Sequence, residues 1–249
     1  MTASPWLRRF EPRPSARTRL VCFPHAGASA GVYAPWARAL PADTELVAVQ
    51  YPGRADRWGE PPTTDMTALV EEIRGALLDD VIGPYALFGH SMGAAIAYET
   101  ARALRDAGAP QPQRLFLSAR APKPSGPAAD PTLDAVDALR TLGGTPAALL
   151  EDKDARAMLV PVFTADWQLM RDYRHTAPEP LLTCPLTVLV GSRDPLTQVS
   201  SAATWSAVTT GAFELTVFPG DHFYLLHHSA EVLALVHTQL RGPSSGNQR

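Results

Sequence analysis

Six short apolar runs, separated by longer stretches of helical spacing, set the strongest limit on what this chain can fold into. Leu20–Phe23, Leu46–Tyr51, Tyr85–Gly89, Leu115–Ser118, Leu186–Gly191 and Phe213–Phe218 read as strands. Several are continuously apolar instead of alternating, as expected of strands covered on both faces of a mainly parallel sheet. Val32–Leu40, Met66–Leu78, Met92–Ala107 and Ala230–Leu240 read as helices. Strand and helix in alternation make βαβ units, so the pattern predicts an α/β fold with helices on both faces of the sheet. Gly108, just past the third helix, suits a left-handed C′ position.

The alternation breaks between Leu117 and Leu186. Ala121–Pro131 is rich in Pro, Ala and Gly and reads as a loop, followed by helical patterns at Leu133–Leu142, Pro146–Leu150 and Ala155–Tyr173. Pro178, Pro180 and Pro185 lead back to the sheet. A helical insertion is therefore expected at about residues 121–180, over the C-terminal edge of the sheet, where open α/β sheets bind ligands. Residues 1–241 are expected to form a single domain, and the Gly/Ser-rich residues 242–249 a disordered tail.

Composition narrows the function. A chain of 249 residues with 45% hydrophobic and 19% charged residues can bury a substantial core. A formal charge of -3, with no strongly basic segment, gives nucleic-acid binding no support. The two cysteines, Cys22 and Cys184, are too few for a disulfide scaffold or a Cys-rich zinc site, and both read as reduced core residues. Met1 to Phe10 has no apolar signal region, and no stretch approaches the ~18 apolar residues of a membrane helix. A soluble cytoplasmic protein, acting as a monomer without membrane contact, is the expectation.

Gly89-His90-Ser91-Met92-Gly93 matches G-x-S-x-G. A chain of this length carries that pattern by chance roughly one time in ten, so its setting matters. The Tyr85–Phe88 run leads straight into it and a helix follows at once, which is the strand–turn–helix setting of a nucleophile elbow. Ser91 is the expected nucleophile. A serine hydroxyl needs a base, and the elbow predicts the chain order Ser, then acid, then His. His222 follows the Phe213–Phe218 strand directly and is the expected base; His25 and His90 break the order, and His227 and His228 read as structural or exposed. Asp194, just beyond Leu186–Gly191, is the expected orienting carboxylate, with an Asx turn before Pro195 as its structural alternative. An oxyanion hole needs two backbone N–H groups. One is expected from Met92, the other from Ala26, with Gly27 as the alternative. No metal-ligand cluster and no phosphate-binding glycine loop is visible, so acyl transfer without a cofactor is the expected chemistry. A neutral histidine base makes activity fall as pH drops through the ordinary histidine range, about 6 to 7.

Together these segments resemble the stand-alone type II thioesterases of polyketide and non-ribosomal peptide pathways. The likeness lies in Cys22-Phe23-Pro24-His25-Ala26-Gly27, Tyr51-Pro52-Gly53-Arg54, the elbow, Gly191-Ser192-Arg193-Asp194 and Gly220-Asp221-His222-Phe223. Leu142-Gly143-Gly144-Thr145-Pro146 is similar to the family's lid. The resemblance spans roughly Leu20 to Leu240. It implies an α/β-hydrolase fold with a helical lid, and removal of stray acyl units from the phosphopantetheine arm of an acyl or peptidyl carrier protein. The roles fall on Ser91, Asp194 and His222, with Ala26 and Met92 in the oxyanion hole. Ala28 departs from the family's second glycine in that loop, so it needs φ values a Cβ tolerates.

The insertion offers apolar side chains for an acyl pocket: Leu139, Leu142, Leu149, Leu150, Met158, Leu159, Val162, Phe163, Trp167, Leu169 and Met170. Trp167 and Met170 are the expected pocket contacts. Arg54, Arg57, Arg120 and Lys123 are the expected basic patch for an acidic carrier protein. Ester and thioester hydrolysis share one triad, so a general acyl-CoA thioesterase or carboxylesterase is the alternative. A catalytically silent carrier-binding module is a further one, against which the intact triad argues. Macrocyclising thioesterases are normally fused to a synthase, whereas this chain is expected to stand alone.

Overall fold

The computed structural model describes residues 4–81, 83–122, 135–142, 144–145, 147–176 and 179–241. Among them, seven strands form one sheet: β1 (Leu7–Arg8), β2 (Thr18–Phe23), β3 (Thr44–Val49), β4 (Tyr85–His90), β5 (Leu115–Ser118), β6 (Leu186–Gly191) and β7 (Phe213–Phe218). Their order is β1-β3-β2-β4-β5-β6-β7. β1 runs antiparallel to β3, and every other neighbouring pair is parallel.

Alternate residues of the central strands enter two separate apolar layers. Val21, Phe23, Val47, Val49, Leu87 and Leu117 meet Leu69 and Ile73 of α2 (Met66–Asp80) and Ile96 and Leu104 of α3 (Met92–Asp106). Leu20, Cys22, Leu46, Ala48, Phe88 and Phe116 meet Trp36 of α1 (Ala34–Ala39) and Val232 and Val236 of α9 (Ser229–Arg241). Both faces are covered, which is why these runs carry little polar alternation. Cys22 and Cys184 are buried and unpaired.

Helix α3 ends as Gly108 suggested. Gly108 has φ +73°, its N–H donates to Arg105 O, and Ala109 N–H donates to Leu104 O. These are the two bonds of a Schellman motif, which satisfy carbonyls the helix leaves open. The strands differ from the sequence reading in places: β2 starts at Thr18 instead of Leu20, β3 spans Thr44–Val49 instead of Leu46–Tyr51, β4 ends at His90 instead of Gly89, and β1 has no counterpart among the expected runs. β3 starts at Thr44, two residues before the apolar run, because Glu45 is buried and accepts from Arg13 N–H at 2.8 Å. β1 has two residues, too few to show any periodicity, and pairs Leu7 with Val49.

Between β5 and β6 the chain forms α4 (Ala135–Leu142), α5 (Ala147–Glu151) and α6 (Lys153–Asp172). Asp152 caps α6 by accepting Ala155 N–H at 2.8 Å. After β6 come α7 (Val199–Ala202) and a 3-10 stretch, and α8 (Tyr224–His227) precedes α9. Most of the Ala121–Pro131 loop and all of the 242–249 tail lie outside the described residues. No helix among the described residues is long and apolar enough to cross a membrane.

β2 pairs with β3 on one side and β4 on the other. The chain thus turns opposite ways after β2 and after β4, and the loops at their C-terminal ends diverge. Such a switch point opens a crevice at the strand ends.

Rings gather beneath that crevice. His25 lies edge-on to Phe223 with centroids 4.9 Å apart and edge-on to His90 at 5.8 Å. His90 is fully buried, with Nδ1 2.8 Å from Ser118 Oγ, which is 2.7 Å from the Tyr224 hydroxyl. Burial, helped by the nearby His222 ring, pulls His90 well below the ordinary histidine range and His25 down to about 4. Both stay neutral in the fold where the unfolded chain takes up protons, so stability falls as pH falls from about 6.5 toward about 4. His25→Phe removes one such group. Its melting temperature is expected to fall less steeply over that window than that of the unaltered protein, measured by thermal unfolding at stepped pH. Equal slopes would contradict this account of His25.

Candidate active site

The site starts from a contact between backbones. A Cβ on Gly93 would lie 2.0 Å from Phe23 O, and one on Gly89 would lie 2.1 Å from Gly93 O. Only glycine lets the first turn of α3 press against the ends of β2 and β4. Between these glycines, Ser91 has φ +55° and ψ -116°, a conformation most L-residues avoid. Hydrogen bonds fix it there: Ser91 N–H donates to Ser118 O at 2.8 Å, and Ser91 O accepts Ala94 N–H at 3.0 Å.

The turn brings Ser91 Oγ to 2.9 Å from His222 Nε2. His222 Nδ1 lies 2.9 Å from Asp194 Oδ2 and 3.1 Å from Oδ1. The structure therefore brings these three sequence-identified residues together in one chain of contacts. The loops carrying the last two are laced to each other, with Ser192 N–H on Phe218 O and Arg193 N–H on Gly220 O, both at 2.8 Å. Asp194 Oδ1 also accepts Leu196 N–H at 2.8 Å and Thr197 N–H at 3.2 Å. The Asx turn posed as an alternative role is thus made by the same carboxylate that faces the ring. A ring N–H at Nδ1 donating to Asp194 leaves Nε2 as an acceptor toward the Ser91 hydroxyl. Asp221, next in the chain, is exposed and instead accepts Phe223 N–H at 2.9 Å.

Two backbone donors are open, one in the elbow and one in the loop after β2, whose start meets Gly93. Met92 opens α3, so its N–H has no helical partner. Neither Met92 N–H nor Ala26 N–H has a hydrogen-bond partner among the described residues. Gly27 N–H is occupied, donating to Asp166 Oδ2 of α6 at 2.7 Å. Of the two candidates in this loop, Ala26 is the one whose donor is free. The positive φ of the loop falls on Gly27, at +77°, and Ala28 is not among the left-handed residues. A Cβ at position 28 is accommodated for that reason.

Two sequence expectations need correction. Arg54 and Arg57 do not form a surface patch. Arg54 is buried and makes a two-pronged pair with Asp166, Nη1 to Oδ2 at 2.6 Å and Nη2 to Oδ1 at 2.8 Å. Arg57 is buried too; its guanidinium lies 4.0 Å from the Trp6 ring centroid and bonds Glu60 and Gln50 O. Arg120 has its Nε sealed from solvent, and burial draws its pKa down to about 10. Lys123 lies outside the described residues. Second, Leu149 and Met158 face outward, at 44% and 52% exposed, and do not line an apolar pocket here. Trp167 and Met170 belong to different surroundings. Trp167 stacks on Phe163 at 5.7 Å in a small cluster with Ala138, Leu139, Leu150 and Ala26, whereas Met170 packs against the α2–α3 layer.

Asp166 escaped the sequence reading. The signal was present: Val162, Phe163, Asp166 and Leu169 form the buried stripe of α6, and a carboxylate on such a stripe requires a partner.

The model of the Thioesterase domain family matches residues 18–240. The "Probable cadicidin biosynthesis thioesterase" of Streptomyces griseus is 39% identical over 251 residues, covering 98% of this chain and 69% of its own. Thioesterase PikA5 of Streptomyces venezuelae is 37% identical over 227 residues, covering 88% of this chain and 80% of its own. Among solved structures, the type II thioesterase BorB from the borrelidin biosynthetic cluster superposes with a TM-score of 0.85 at 40% identity, covering 94% of this chain and 97% of that one. Matched across nearly its whole length in both sequence and fold, the chain belongs to the thioesterase family and has the α/β-hydrolase architecture.

Proposed function

We propose that this protein hydrolyses acyl thioesters on the phosphopantetheine arm of acyl or peptidyl carrier proteins, clearing aberrant units from a polyketide or non-ribosomal peptide synthase. The observation that carries the reading is the Ser91–His222–Asp194 relay, with contacts of 2.9 Å at both steps. Family membership and the thioesterases of biosynthetic pathways to which the chain is similar support the thioester and the biosynthetic setting.

In this reading Ser91 Oγ attacks the thioester carbonyl carbon while His222 Nε2 takes its proton. The oxyanion is held by the Ala26 and Met92 N–H groups. The C–S bond then breaks, and the sulfur receives the proton from His222 and leaves as the free thiol of the arm. Water, deprotonated by His222, next attacks the acyl-Ser91 ester; the ester C–O bond breaks, Ser91 Oγ takes the proton back from His222, and a carboxylic acid is released. Asp194 holds the imidazole tautomer and stabilises the imidazolium. The α4–α6 segment serves as the lid, and Trp167 with Phe163, Leu139 and Leu150 offers the acyl chain an apolar wall. Such a wall discriminates only about 1–3 kcal/mol per methylene, which suits an enzyme that clears varied acyl groups.

The first test is kcat/KM for one short acyl group offered on a carrier protein and on coenzyme A, with Ser91→Ala as blank. Preference for the carrier is expected; equal rates would make a general acyl-CoA thioesterase or carboxylesterase the better reading. Asp194→Asn is expected to lower kcat on the order of 10⁴-fold by allowing the wrong tautomer. A loss of less than about tenfold would remove Asp194 from this role. In steady-state assays between about pH 5 and 8, kcat/KM is expected to fall toward the acid end, because a protonated His222 cannot accept the Ser91 proton. A flat profile would contradict His222 as the base.

A further inference from the structure

Outside the relay, a second buried carboxylate, Asp166, meets the loop after β2. Its carboxylate lies on the inward stripe of α6, with only 3% of the side chain exposed, opposite Arg54 at 6%. It bonds both terminal nitrogens of Arg54, and its Oδ2 also accepts Gly27 N–H at 2.7 Å. Arg54 in turn donates to Ala28 O at 3.4 Å and, through Nε, to Pro52 O at 3.2 Å. The pair therefore grips the loop after β2 at two successive residues, one by its N–H and one by its C=O. Those residues directly follow Ala26. Phe163, one turn before Asp166, closes over the same place, since a Cβ on Gly27 would be 3.2 Å from its ring.

A buried ion pair is a poor stability device. Its desolvation cost roughly cancels the Coulomb gain, and apolar replacements of similar volume are often neutral or better. What the pair supplies is direction: two parallel bonds fix the carboxylate in plane, and the carboxylate fixes a backbone amide.

We propose that Asp166 is a positioning residue that ties the lid helix to the oxyanion loop, so that the Ala26 N–H faces Ser91 only while α6 is seated. This rests on the proposed roles of Ser91 and Ala26. Its consequence is that lid and oxyanion hole form one switch. When α6 lifts, Gly27 loses its acceptor and the loop loses its hold, so an open lid leaves Ser91 with one oxyanion donor.

The test uses the full chain and the double variant Arg54→Met/Asp166→Leu, which removes both charges and leaves no unpaired one behind. Its melting temperature is expected to stay close to that of the unaltered protein. Its kcat on a small S-acyl N-acetylcysteamine thioester is expected to fall about a hundred- to a thousand-fold with little change in KM, the cost of losing one oxyanion donor. A trifluoromethyl ketone analogue, whose hemiketal oxygen needs that donor, is expected to bind more weakly by a similar factor. The corresponding unreactive thioether is expected to bind unchanged. Normal kcat and normal ketone affinity in a stable double variant would overturn the proposal. So would loss of ketone and thioether binding together, which marks general disorder of the site. If the variant melts far below the unaltered protein, Asp166→Asn decides, because it keeps a Gly27 acceptor but loses the second Arg54 contact. A selective loss of ketone affinity supports positioning; equal loss for both ligands overturns it. Failure of the functional reading looks different: the unaltered protein would bind the ketone through Ser91 yet turn over no thioester.

Discussion

The site depends on one close approach. The first turn of α3 sits against the last residues of β2, with no room for a side-chain carbon on Gly93. That contact forces the chain to reverse within three residues, holds Ser91 at positive φ, and leaves the Met92 N–H open at the start of a helix. It also sets the loop after β2 alongside the serine, because β2 and β4 are neighbours at the point where strand order changes direction. The positions of Ser91 and of the Met92 N–H are therefore products of a single packing event between two backbones.

Buried carboxylates do the next level of work, each by meeting several donors. Asp194 has no exposed side-chain surface, yet a ring nitrogen and two backbone amides share its charge. Asp166 meets a guanidinium and one amide. In both cases the charge is held without solvent because each carboxylate oxygen has at least one hydrogen-bond partner. The histidines around them solve the same problem by staying neutral, as burial dictates for His90 and His25.

Much of this was readable from residues alone. β5 and β6 fall on the apolar runs Leu115–Ser118 and Leu186–Gly191, since a strand covered on both faces carries its burial in its composition; β7 matches Phe213–Phe218 although, as the edge strand, it buries only Phe218. Ser91, His222 and Asp194 could be found because an elbow has a glycine signature and a fixed chain order. What escaped was long-range and polar. Arg54 and Arg57 look like surface charges when neighbours in sequence are all one has, and their partners Asp166 and Trp6 come from elsewhere in the fold. Asp166 lies 112 positions from Arg54, so no local pattern links them. Glu45 hid the start of β3 for the same reason, its charge being met by Arg9 and Arg19.

The grip of α6 on the loop after β2 bears on how such enzymes can be recombined. Helical insertions look like detachable modules, and exchanging them between relatives is an obvious way to alter acyl preference. Here the boundary of the module is not where the chain enters and leaves it. The segment that must travel together includes Gly27, Arg54 and Asp166, three residues that no contiguous graft contains. A transplanted helix lacking the inward carboxylate would arrive with the right apolar face and leave a guanidinium stranded beneath it.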